Sequence, residues 1–202
     1  MILVIDSATA ACSVALIDGT AIIDERHEVV GRGHAERLIP MIDEMLAGRR
    51  PASILVDCGP GSFTGVRVGL AAAHGLAIGW QVPLSGYSSM AAIAALGGGS
   101  KDVAVALVGG HGQLFVQSYG HDPLAPLDDL QSLSPEAAAA ATDCALVLGS
   151  GAETLVSARG HGQAVDALPR AAAARNLPAA LLDLPPRPIY GRAPDAKPMV
   201  AA

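Results

Sequence analysis

The chain has 202 residues, of which 51% are hydrophobic and 16% charged, with a net charge of −6 and a pI near 5.4. That length allows one large domain or two small lobes with ample core, and the charge content lies below the roughly 25% of an ordinary globular protein, so much of the surface is uncharged. The acidic balance argues against nucleic-acid binding by overall field and leaves RNA contact to a local patch or a partner.

Residues 2–5 form a compact apolar strand ending in Asp6, and Ser7-Ala8-Thr9-Ala10 reads as a turn. The opening run is too short for a signal-peptide apolar region and lacks its positive flank, which predicts a cytoplasmic protein. Residues 12–17 give a second strand, Asp18-Gly19 a hairpin turn, and residues 21–30 a third strand. Three strands opening with an Asp and a small-residue turn match the entry of an actin-like ATPase lobe, in which Asp6 would face a metal-bound nucleotide. An Asp ending a strand also serves as a turn or cap residue.

Residues 34–47 switch to helical spacing, with Leu38, Met41, Ile42 and Met45 forming an apolar stripe that Ile39 and Leu46 widen. Two methionines on that stripe suit an adaptable contact with a partner, and the same pattern describes an ordinary core-facing helix. Pro40 removes a backbone donor and predicts a bend or a late start. His34 followed by Leu38 is an incomplete His-x-x-x-His.

Residues 54–56 are a short strand ending near Asp57, and Cys58-Gly59-Pro60-Gly61-Ser62-Phe63-Thr64-Gly65-Val66-Arg67-Val68-Gly69 follows. Gly65 is followed by Val66 instead of Lys, so this is no P-loop, and Ser62 lacks the flanking glycines of a nucleophile elbow. Ser62 suits a helix cap, and free N–H groups at a helix start also suit an anion, with Gly61 and Ser62 as its contacts. Gly65, Gly69 and Ala73 share one helix face and let another element approach closely. Each helix glycine costs about 1 kcal/mol relative to alanine, which implies a packing reason. The helix extends over residues 63–80.

Residues 68–100 contain no Asp, Glu, Lys or Arg, but Gly75, Gly79, Gln81, Pro83, Ser85 and Gly86 interrupt any span of 18 apolar residues, so no membrane crossing is expected. A strand over residues 83–87, a helix capped by Ser88 or Ser89, and the Gly97-Gly98-Gly99 break complete a first lobe over residues 1–100. A shorter second lobe, residues 101–202, opens with strands at 103–108 and 114–119 joined by Gly109-Gly110-His111-Gly112. Residues 122–129 read as a proline-containing loop, Ser134-Pro135-Glu136 as a helix start, residues 145–148 as a strand, 152–159 as a helix, and 170–182 as partly helical. Residues 185–192 are an extended tail laid on the surface or on a partner. Cys12, Cys58 and Cys144 are scattered, as reduced thiols are, and none has metal-ligand spacing.

Ile5-Asp6-Ser7-Ala8-Thr9 with Cys12-Ser13-Val14-Ala15-Leu16, His34-Ala35-Glu36-Arg37-Leu38-Ile39-Pro40, the glycine segment 59–69, and Pro188-Ile189-Tyr190-Gly191-Arg192 together resemble the TsaB (YeaZ) proteins. The resemblance implies an α/β, actin-like fold of the sugar kinase and Hsp70 type, with two related lobes of mixed sheets flanked by helices. It also implies a noncatalytic subunit in making N6-threonylcarbamoyladenosine in tRNAs that read codons starting with A. A TsaD partner would carry the metal and transfer the threonylcarbamoyl group, a TsaE ATPase would join the larger complex, and ATP or ADP would sit on those partners, with tRNA met only through the complex. The chain alone would form a homodimer. The family's second-lobe turn usually reads Asp-Ala-Arg before a glycine, where this chain has Val108-Gly109-Gly110, and Leu38 stands where a second metal-binding histidine would be. The expected interface is Leu38, Met41, Ile42 and Met45 with Gly65, Gly69 and Ala73. Asp6, Thr9, Gly61 and Ser62 are the candidate anion or nucleotide contacts. No catalytic residue, metal or cofactor is assigned to this chain. The alternatives are an independent small-molecule kinase or ATPase of the same fold, with Asp6 and Thr9 on phosphate, and a glycoprotease-like peptidase using Ser62 or Cys58.

Overall fold

A computed structural model describes residues 1–99 and 101–191; Ser100, Arg192 at the end of the tail motif, and the residues after it lie outside the described part. The first strands follow the sequence closely: β1 (Ile2–Asp6), β2 (Ala11–Asp18) and β3 (Ala21–Val29) form an antiparallel meander. β4 (Ser53–Asp57) then pairs parallel with β1, and β5 (Leu84–Tyr87) parallel with β4, giving the order β3-β2-β1-β4-β5. The parallel crossovers are made by α1 (His34–Leu46) and α2 (Phe63–Trp80).

The second half repeats this wiring with shorter parts. β6 (Val103–Val108), β7 (Leu114–His121) and β8 (Leu124–Pro126) are antiparallel, while β10 (Leu146–Leu148) and β11 (Gln163–Val165) add parallel beside β6, in the order β11-β10-β6-β7-β8. β9 (Gln131–Leu133) pairs with β7. Helices α4 (Pro135–Ala141) and α5 (Ala152–Arg159) hold the places of α1 and α2. The loop expected at residues 122–129 therefore contains a strand, because three residues paired on β7 show no period of their own.

Helices α1 and α2 cover one face of the first sheet. Leu38, Met41, Ile42 and Met45 are buried there with Leu3, Ile5, Val14, Leu16, Leu70 and Ala73, each of the larger side chains contributing about 1.5–3 kcal/mol of burial. α1 runs unbroken through Pro40. Pro40 is exposed, so the carbonyl that loses its donor faces water, and the regular helix begins at His34 instead of starting late after Pro40.

The opposite faces of the two sheets share a single buried cluster. Val4, Ala15, Ile17 and Leu55 of the first sheet meet Val103, Val105, Leu107 and Tyr119 of the second through α3 (Ser89–Ala94) and the short helical turn Ala171–Asn176. That turn is tied to the first sheet by Ala171 N–H donating to Ser13 Oγ at 2.9 Å and by Arg170 pairing with Glu25 at 2.8 Å.

Where α2 leaves β4, glycine is required by contact. A Cβ on Gly61 would lie 2.1 Å from Ala8 O, one on Gly65 2.1 Å from Ser7 O, and one on Gly69 2.4 Å from Ser7 Oγ. At Gly75 and Gly79, farther along the same helix, nothing lies within 4 Å of such an atom. Gly65→Ala is expected to lower the unfolding free energy by about 3 kcal/mol through overpacking against backbone, while Gly75→Ala should raise it by about 1 kcal/mol. Urea unfolding of the two variants checks both signs.

Candidate functional site

The glycine junction forms the floor of a cleft between the lobes. Ser62 caps α2, its Oγ accepting from Gly65 N–H at 3.3 Å, while its own N–H donates to Ala8 O at 2.6 Å. Ser7 Oγ donates to Gly65 O at 2.9 Å. Gly59 N–H goes to Asp57 Oδ1 and Val66 N–H to Ser62 O, both at 2.9 Å. These amides of the loop are thus engaged inside the lobe, which weakens the anion reading of the junction.

The cleft encloses about 960 Å³. Thr9, Gly61 and Ser62 line it on one side, and Val108, Gly109, Gly110 and Ser150 on the other. Among the described residues Arg67 is the one charged side chain lining it, and none of them puts a carboxylate there. Asp6 stands apart from the other three candidate contacts: it is fully buried beneath the loop and accepts from Tyr87 Oη–H at 3.0 Å. Burial pushes its pKa up to about 7. The Asp6 side chain, expected to meet a nucleotide, lies in the lobe interior and is not among the residues lining the cleft.

The seven residues expected at a partner interface are also interior. Leu38, Met41, Ile42, Met45 and Ala73 lie in the core beneath the helices, and Gly65 and Gly69 pack on Ser7. The physical reason is that an amphipathic stripe does not reveal what covers it, and here the chain's own sheet does. Turned outward instead are Ile39 and Pro40 of α1 and Thr64, Ala71, Gly75, Ile78 and Gly79 of α2, with Ile78 78% exposed. Ala71, Gly75 and Gly79 are four apart, as Gly65, Gly69 and Ala73 are, so the α2 sequence carries two small-residue strips. The second strip was visible in the spacing and was missed.

The nucleophiles required by a peptidase are poorly placed. Cys58 is buried, its thiol donating weakly to Val56 O and Pro185 O, and burial with the nearby Asp57 charge raises its pKa to about 12. Ser62 Oγ is occupied as the helix cap. His34 is buried with Nε2 3.2 Å from Ala11 O. Among the described residues no group of three or more His, Cys, Asp or Glu could hold a metal ion.

The extended tail lies on the first lobe. Leu184 exchanges backbone hydrogen bonds with Gly86 at 2.7 and 3.0 Å, and Ile189 N–H donates to Cys58 O at 2.8 Å. Tyr190 packs on Phe63 with ring centroids 5.5 Å apart, and Arg67 sits 3.6 Å above the Phe63 ring while donating to Tyr190 Oη. The motif at residues 188–191 thus closes over the start of α2.

Comparison with known proteins gives this architecture a family. The family model described as "TsaD: tRNA N6-adenosine threonylcarbamoyltransferase" matches residues 25–156. The tRNA threonylcarbamoyladenosine biosynthesis protein TsaB of Escherichia coli K12 is 41% identical over 99 residues, 46% of this chain and 42% of that protein. The solved structure of YeaZ from Pseudomonas aeruginosa is 29% identical with a TM-score of 0.78, covering 94% of this chain and 98% of that one. The chain belongs to the TsaB (YeaZ) family. The ethanolamine utilization protein EutJ from Carboxydothermus hydrogenoformans, 15% identical with a TM-score of 0.51 over 89% of each chain, shares the actin-like fold. The match to the E. coli protein spans about two-fifths of its length, so what that whole protein does is not carried over by similarity alone.

In this TsaB-family chain the thiols give a direct check of the site's burial. Cys12 is raised to about 11, chiefly by burial, and Cys58 to about 12. Iodoacetamide at pH 8 should label half-buried Cys144 in the folded chain and reach Cys12 and Cys58 only after denaturation, as read by peptide mass spectrometry.

Proposed function

We propose that this chain is the noncatalytic partner subunit of a TsaD-type threonylcarbamoyltransferase and is required for N6-threonylcarbamoyladenosine in tRNAs reading codons that start with A. The observation that carries the reading is the outer face of α2. Gly75 and Gly79 interrupt an exposed helix with nothing beyond them within 4 Å, although each costs about 1 kcal/mol relative to alanine. Beside them Ile78 is almost fully exposed, and Arg67 is the helix's only formal charge. Such a face suits close approach of a helix from another chain. The described residues put no carboxylate on the cleft walls for a metal-bound nucleotide, which favours a supporting role over an independent kinase or ATPase.

In this reading the TsaD-type subunit supplies the metal and the transfer chemistry, a TsaE-type ATPase joins the larger complex in the cytoplasm, and tRNA is met through the assembly. Without its partner the chain covers the same face by pairing with a second copy. Gly69 is no probe of this interface, because a side chain there strikes Ser7.

Gly75→Asp and Ile78→Asp should each weaken association with the TsaD-type subunit by about 10- to 100-fold, equivalent to about 1.4–2.8 kcal/mol. The stability of the isolated chain should change little. Titration calorimetry on the purified subunits, with quantification of the modified nucleoside in a depleted strain complemented by each variant, measures both. Undiminished binding by both variants would move the interface elsewhere, and unchanged modification after depletion would overturn the functional reading.

A further inference from the structure

Two buried carboxyls stand side by side at the ends of neighbouring strands. β1 and β4 run parallel and in register from Ile2 beside Ser53 to Ile5 beside Val56, so one residue on, Asp6 comes beside Asp57 with both side chains on one face. Tyr87 is paired with Asp57 across β5. Asp6 is 0% and Asp57 2% exposed.

Their hydrogen bonds account for one oxygen of each. Asp6 Oδ2 accepts from Tyr87 Oη–H at 3.0 Å, and Asp57 Oδ1 accepts from the N–H groups of Gly59 at 2.9 Å and Ser89 at 2.7 Å. Asp6 Oδ1 and Asp57 Oδ2 are both buried and make no hydrogen bond of ordinary geometry, with the Ala8 N–H near Asp6 and the Ser89 hydroxyl near Asp57 as their neighbouring donors. The titratable groups that face the pair are Tyr87 on β5, Cys58 in the loop after β4 and Cys12 on β2, and none of them is a cation. No lysine, arginine or histidine among the described residues acts on either carboxyl.

Two adjacent ionised carboxylates in such a place would each bear the full cost of desolvation with no compensating charge, and they would repel one another. A carboxylic acid beside a carboxylate removes the repulsion and supplies the one donor that both orphan oxygens lack. We infer that the folded chain holds one proton, taken up from solvent, between Asp6 Oδ1 and Asp57 Oδ2, and that this O–H···O bond clamps the end of β1 to the end of β4. The pair then carries a single negative charge, solvated by Tyr87 and by the Gly59 and Ser89 amides. Through those amides it fixes the loop entering α2 and the first turn of α3, which joins the lobes.

The clamp makes stability depend on pH in a defined sense. Burial pushes Asp6 up to about 7, and burial with the Asp6 charge pushes Asp57 well above the carboxylate range. In the unfolded chain an Asp titrates near 3.9, so the folded state binds the extra proton. Its contribution is full below about pH 4, where the unfolded chain is protonated too, and is lost as the pH rises through the pair's folded value, which burial and mutual repulsion hold well above the carboxylate range and past which a second charge opens beneath the α2 loop.

The wild-type full-length chain tests the inference without any substitution. Carbon-13 NMR of aspartate-labelled protein should show a coupled pair of side-chain carboxyl resonances that still carries one proton at pH 6 and loses it only well above the usual carboxylate range. In parallel, unfolding at pH 6 should release about one proton more from wild type than from Asp6→Asn, whose amide replaces the shared donor. Tyr87→Phe, which removes the external donor and leaves the pair, should retain the extra proton. If both carboxyls are ionised at pH 6 in the NMR titration, or if wild type and Asp6→Asn release equal numbers of protons, the clamp does not exist.

Discussion

The contact of the Ser7–Ala8 backbone with the three glycines at the start of α2 sets the geometry of the first lobe. Ser7 and Ala8 follow β1 directly, so a helix that packs on them without side chains between must start at the end of that strand and run back across the sheet. Gly61, Gly65 and Gly69 hold positions where even a methyl group would overlap backbone or Ser7 Oγ. Two of them sit within the helix at a cost of about 1 kcal/mol each, and the close approach offsets it by letting Ser62 N–H reach Ala8 O and Ser7 Oγ reach Gly65 O. The second lobe solves the same problem in the same way. A Cβ on Gly149 would lie 2.3 Å from Ala106 O, and Gly151 N–H donates to that oxygen at 2.9 Å.

This constraint also decides the chemistry of the cleft floor. A glycine loop before a helix binds phosphate when its amides point outward unpaired. Here Gly59, Ser62, Gly65 and Val66 donate to Asp57, Ala8 and Ser62, all within the lobe. Asp6, which the strand order brings to the head of the cleft, is turned under the loop by Tyr87. Four amides of the loop that looks most like a ligand site in sequence are thus taken up inside the lobe.

What the sequence makes legible follows from the range of the forces involved. The hairpin after β2, whose turn falls on Gly19-Thr20 one residue past the Asp18-Gly19 reading, the caps at Ser62 and Ser134, and the limits of α2 depend on neighbours a few residues away, and all lie at or within a residue of where the spacing places them. The face that each helix turns inward depends on what the sheet offers. Leu38, Met41, Ile42 and Met45 would read identically over a core or a partner. Gly65, Gly69, Ala73 and Ala71, Gly75, Gly79 are two equivalent strips on one helix, and only the position of Ser7 shows which is inside. The strands at Leu124–Pro126 and Gln131–Leu133 escape notice because their pairing with β7 is long-range and three residues carry no period. The Asp6 and Asp57 pair is hidden for a related reason, since residues 51 apart become neighbours only through the β1 and β4 register.

The outer strip of α2 is the one part of the helix whose residues the chain's own fold does not explain. Its inner glycines are required by Ser7, and its cap and its single arginine are engaged by Gly65 and by the Phe63 and Tyr190 rings. Ala71, Gly75 and Gly79 gain nothing from this fold, and alanine at either glycine would make a more stable subunit. A monomer under no other requirement would carry charged helix formers there, as α1 does with Glu36, Asp43 and Glu44 on its exposed side. Smoothness without an internal contact is intelligible when the contact lies outside the chain. On that argument the proposed docking surface is the outer face of α2, on the side of the first lobe away from its own sheet.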